Sequence, residues 1–99
     1  MNKYSVFYRK SPTFLPDEKL TVANLDQTHV HLKDLEAVDL EDVFYQMQGE
    51  IWSPQGEARE LIRSKGLSHT SMSVGDVVYS HCDDVYYQVD FLGFRVVSK

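Results

Sequence analysis

An α+β domain built on an antiparallel sheet is what this 99-residue sequence predicts, and three observations carry the prediction. A period-two aromatic run opens the chain, two helix signatures occupy its middle, and three β-prone runs separated by short turns close it. Residues 1–99 read as a single domain, because a chain of this length cannot build two independent cores. A hydrophobic fraction of 42% with charged residues at 25% is the balance of a chain that folds.

In residues 3–9, Tyr4, Val6 and Tyr8 alternate with Ser5, Phe7 and Arg9, the pattern of a strand with solvent on one face. Pro12 and Pro16 make residues 10–17 a loop, whose Phe14 and Leu15 are expected to fold back on the core. Residues 19–26 suggest a short strand, and residues 28–37 a firmer one, with Val30 and Leu32 set against His29, His31 and Lys33. Asp39 suits the N-cap of a helix reaching about Gln48, with Leu40, Val43, Phe44 and Met47 as its apolar stripe and Gly49 as its stop. Ser53-Pro54 resembles a cap followed by a first helical proline, so a second helix is expected from there to Lys65, burying Ala58, Leu61 and Ile62 and ending at Gly66. A three-stranded meander then follows from residues 74–82, 85–89 and 93–97, with Gly75-Asp76 as a turn that keeps register.

The last of these regions carries a family likeness. Ser71, Met72, Ser73, Val74, Asp76, Val77 and Val78, followed by Tyr87, Val89, Asp90, Gly93 and Phe94, resemble the motif of the YodL-like group of small proteins and domains. The likeness spans residues 69–97 and departs from the group at Gly75, Phe91 and Leu92. Residues 40–67 also resemble what precedes the motif in short phage and plasmid proteins. The group has no agreed activity, so the resemblance implies a mobile-element setting and a β-rich tail, and it transfers no catalytic residue.

Charge is unevenly spread around the net −5: residues 17–50 hold nine acids against Lys19 and Lys33, whereas residues 1–16 hold three bases and no acid. An acidic chain repels a phosphate backbone at long range, which ranks nucleic acid behind protein as a partner. Glu36, Asp39, Glu41 and Asp42 form a candidate acidic interface, and Tyr45, Trp52 and Tyr86 a candidate aromatic one. Trp52 also suits the core. The opposing candidate, for an anion or a partner, is Arg59, Arg63 and Lys65 with His69, Thr70, Ser71 and Ser73, and with Arg95 it could serve RNA or DNA. The same residues suit a solvated helix face and a self-satisfied loop.

Catalytic and metal chemistry find little support in the sequence. His29 and His31 share a strand face but are only two ligands and read as exposed strand residues, and adjacent His81 and Cys82 point to opposite sides of a strand. No motif activates Ser71 or Cys82, and Cys82 reads as a small buried apolar group. The expectation is therefore a protein that is not an enzyme, has no cofactor or metal, and binds another protein. A lone cysteine, an N-terminus without an apolar export core and no run of eighteen apolar residues point to the cytoplasm rather than a membrane. The thin stability margin of a small domain leaves room for a homodimer.

Overall fold

In the computed structural model, which describes residues 1–10 and 20–99, five antiparallel strands form one sheet in the order β2-β1-β3-β4-β5. The strands are β1 (Asn2–Arg9), β2 (His29–Ala37), β3 (Val77–Ser80), β4 (Val85–Asp90) and β5 (Gly93–Val96). The α+β class and the C-terminal β3-β4-β5 meander are thus as the sequence predicts. The loop at residues 10–17, with Phe14 and Leu15, lies outside the described residues from Ser11 onward. No helix among the described residues is long and apolar enough to cross a membrane.

Among the described residues four short α-helices accompany the sheet: α1 (Leu25–Thr28), α2 (Leu40–Gln46), α3 (Gly49–Trp52) and α4 (Arg59–Ser64). One face of the sheet buries Tyr4, Val6, Tyr8, Val78 and Val89 against Val43 of α2, Met47 just after it, and Ala58 and Ile62 of the α4 region. The cap of α2 forms as its sequence implies, with the Asp39 carboxylate accepting the Asp42 N–H at 2.9 Å. The apolar stripes need two corrections. Leu40 and Phe44 are half-buried at the margin of the core, and Leu61 faces solvent because Ala58 and Ile62 set the inward face of α4.

Two helix boundaries also differ from expectation. Gly49 does not stop a helix but begins α3, since the Ser71 hydroxyl accepts its N–H at 2.8 Å. Pro54 does not open α4. The Ser53 hydroxyl accepts the N–H of Ala58, and Gly56 at φ +84° turns the chain between them, which delays the helix to Arg59.

The segment expected as a strand at residues 19–26, whose first residue lies outside the described ones, forms from Leu20 onward one parallel bridge, Thr21 with Ser98, then a 3₁₀ turn (Val22–Asn24) and α1. An Asn24 side chain accepting the Thr21 N–H favours that turn over extension. Leu20 and Leu25 from this segment cover Val77 and Val97 on the second face of the sheet, with Phe7 and Tyr86 packed beside them. The second face of β1 is therefore not solvated as its alternation implies, and even Ser5 is buried.

Register is set at two irregularities. Val6 pairs with Lys33 and Phe7 with His31, so Leu32 is an extra residue that bulges the edge strand β2. Before β3, the Gly75 N–H bonds the Val89 carbonyl and the Val89 N–H bonds the Asp76 carbonyl, so two residues face one. Gly75 takes φ +99° there, a left-handed conformation that would strain any other residue. The expected register-keeping turn is this bulge.

Candidate functional site

Short helices leave part of the sheet bare. A groove of about 520 Å³ runs between α2 and the β4–β5 hairpin, with Phe44, Val74, Val89, Phe91 and Phe94 as its apolar walls. Glu41 and Asp90 also line it, and among the described residues neither carboxylate is in an ion pair. Asp90 accepts only the adjacent Phe91 N–H, at 2.7 Å. The hairpin tip next to the groove is Phe91-Leu92, and both side chains are exposed, Leu92 completely. Tips of this kind usually carry polar or small residues, and among the described residues nothing covers these two large apolar ones.

The acidic candidates divide by role. Asp39 caps α2, and Asp42 accepts the Val38 N–H at 2.9 Å, so both carboxylates hold local structure. Glu36 stands on the edge strand opposite Lys3, and Glu41 reaches the groove. The aromatic trio does not form one surface: Tyr45 is exposed on α2, Tyr86 lies on the other face of the sheet, and Trp52 packs on the core with its indole N–H donating to the Thr70 carbonyl.

The basic and hydroxyl-rich candidates are separated in a similar way. Arg59, Arg63 and Lys65 are all exposed on the solvent side of α4. The loop that follows turns its polar groups inward. His69 stacks on Tyr8 with ring centroids 4.6 Å apart and places Nε2 at 2.9 Å from an Asp76 carboxylate oxygen. The Thr70 carbonyl accepts the Tyr8 hydroxyl at 2.6 Å, and the Ser71 hydroxyl is engaged at α3. The Ser73 backbone N–H bonds Asp76, while its side chain is exposed. Burial, and secondarily the Asp76 charge, pushes the Tyr8 phenol far above its ordinary value, so it stays a neutral donor. Arg95, the remaining base of the nucleic-acid reading, sits on β5 and donates from Nε and Nη2 to the Gln88 side chain.

The histidines are not a matched pair. His29 is buried, contrary to its reading as an exposed strand residue, with Nε2 at 2.7 Å from the Gly75 carbonyl and Nδ1 at 2.8 Å from the Thr28 hydroxyl. His31 is exposed and bonds Asp34 at 2.8 Å. Among the described residues no three His, Cys, Asp or Glu side chains are placed to hold a metal ion. Cys82 is exposed in the β3–β4 turn rather than buried, because the chain leaves the sheet at Ser80 and turns through Asp84 at φ +54°.

A second polar cluster ties β2, β1 and β3 together. Ser5 Oγ lies 2.6 Å from Asp34 and 2.7 Å from His81 Nε2. A hydroxyl has one proton, so with Ser5 donating to the carboxylate, His81 donates to Ser5 and does not serve it as a base. Hydrogen bonds from Ser5 and then His31 hold the Asp34 carboxyl below its ordinary value. Its contribution to stability is fully present above the unfolded carboxylate pKa of about 4 and is lost as pH falls through the lower folded value. Asp34→Asn should therefore flatten the acid arm of a stability–pH curve from thermal melts. Because Asp34 is exposed the amplitude is small, and parallel acid arms would show that the cluster does not bias the carboxyl.

Comparison of the chain with known protein families, with curated proteins and with solved structures gives no match.

Proposed function

We propose that this chain is a non-enzymatic interaction protein of a mobile genetic element, and that it binds a protein partner through the groove between α2 and the β4–β5 hairpin. The observation that carries the reading is the apolar groove lined by the unpaired Glu41 and Asp90, with Phe91 and Leu92 exposed at its end. The resemblance to the YodL-like group supplies the setting. Charge supplies the chemistry of the occupant: an apolar site rimmed by carboxylates, on a chain of net charge −5, suits a basic protein segment with apolar side chains.

Affinity purification from the native host, with mass spectrometry and nucleic-acid sequencing of what co-purifies, provides the material for the test. Changing Glu41 and Asp90 together to Lys should weaken binding of the co-purified protein about tenfold or more, a loss of roughly 1.4 kcal/mol, with the deficit shrinking as salt is raised. Arg59→Glu with Arg63→Glu should leave it intact. If instead only the arginine pair matters, and a random oligonucleotide pool binds the wild type, the domain is a nucleic-acid binder and the groove reading fails.

A further inference from the structure

The groove opens beside a sheet edge, and we infer that the partner segment binds in extended form as a sixth strand alongside β5, placing its apolar side chains over Phe94 and its basic ones near Glu41 and Asp90. This inference rests on the groove reading above and adds the mode of binding.

Hydrogen-bond phase sets which backbone groups of β5 are free. The Val97 N–H donates to the Tyr86 carbonyl at 2.8 Å, and Arg95 and Gly93 pair with Gln88 and Asp90 in the same phase. Alternation then turns the N–H and C=O groups of Phe94 and Val96 away from β4. Ser98 has the same phase, and its carbonyl accepts the Val22 N–H at 2.8 Å, so this edge already pairs with backbone at one end. Among the described residues no strand lies beside Phe94 and Val96.

The two edges of the sheet are treated differently. β2 carries a bulge and the charges of Lys33, Asp34 and Glu36, devices that discourage strand addition. β5 has none of these on its groove side. Its one charge, Arg95, lies on the other face against Gln88, and the groove side presents Phe94 and an exposed Val96. A strand added here sets its side chains about 5 Å from those of β5, within reach of the groove walls. A second copy of the chain is a poor occupant: antiparallel pairing through Phe94 and Val96 would set Arg95 opposite its own mate, between two acidic molecules.

Two phage-displayed libraries of short peptides test this, one with apolar residues at every second position and basic residues at the two ends, the other arranging the same composition with helical period. Binders should come from the alternating library, and hydrogen exchange on the wild-type protein should show the Phe94 and Val96 amides fast when free and slowed at least tenfold by the selected peptide. Val96→Pro removes an N–H that β4 does not use, so it should abolish binding while Gly93, Arg95 and Val97 keep their protection. Binders from the helical library alone, or peptide binding that leaves both amides fast, would overturn strand addition. In that case loss of binding in Glu41→Lys with Asp90→Lys would still uphold the groove, and insensitivity to that pair would remove both. A wild-type dimer in which the two amides are already slow would also overturn the inference.

Discussion

Asp76→Ala is expected to lower stability by about 3–5 kcal/mol, as removing one partner of a buried charged network does. Asp76 has no exposed surface, and its carboxylate accepts the backbone N–H of Arg9 at 2.8 Å and of Ser73 at 2.9 Å as well as His69 Nε2. Alanine would strand three donors, one at the end of β1 and two in the loop after α4, that the carboxylate ties to the start of β3. Water cannot readily reach them, because His69 and Tyr8 stack beside the site. A domain with a total margin of roughly 5–15 kcal/mol would be left close to unfolding at ordinary temperature. Chemical denaturation measures this directly, and a loss below about 1 kcal/mol would show that the donors find other acceptors.

Met47→Ala is the second large effect, expected to cost about 2–5 kcal/mol through lost burial and a residual cavity. Met47 is fully buried among β1, α2 and the loop after α4, and its backbone N–H and carbonyl pair with Val43 and Met72. Those backbone bonds fix where the side chain sits, so the cavity has little freedom to collapse. Leu61→Ala is the control, because Leu61 faces solvent and its change should stay within about 0.5 kcal/mol. Equal midpoint shifts for the two variants in urea would mean that the inward faces of α2 and α4 are assigned wrongly.

What the sequence reveals follows the range of the interactions involved. Alternation in residues 3–9 and 28–37, and the Asp39 cap, depend on neighbours a few positions away, and these elements form where expected. The start of α4 is misread from Pro54 because the Ser53 hydroxyl captures the N–H of Ala58, the residue just before the helix. Residues 20–28 lack a strong period of their own and take shape by covering Val77 and Val97. For the candidate site the gap is wider. Glu41 stands out in the sequence as an acid, but its place in a groove depends on Phe44 meeting Val89 and Phe94 some fifty residues later. The local signal that could have found the groove is Phe91-Leu92 at a hairpin tip. Asp76 resembles an ordinary turn residue until the bulge at Gly75 turns its carboxylate inward.

The strand order β2-β1-β3-β4-β5 also governs how the chain can acquire its structure. β1 lies between two partners, and one of them, β3, comes from the far end of the sequence, with Tyr4 opposite Ser80 and Phe7 opposite Val77. Closing so long a loop is entropically costly before any contact offsets it, which places the domain among the slower folders of its size. On the ribosome, β1 and β2 can pair early, but Tyr4, Val6 and Tyr8 must wait for Val78 and Val89 to complete their core. The seam between β1 and β3 therefore stays open until β3 has been made. Until the C-terminal meander is released, the inner edge of β1 is exposed to chaperones and to other unfinished chains.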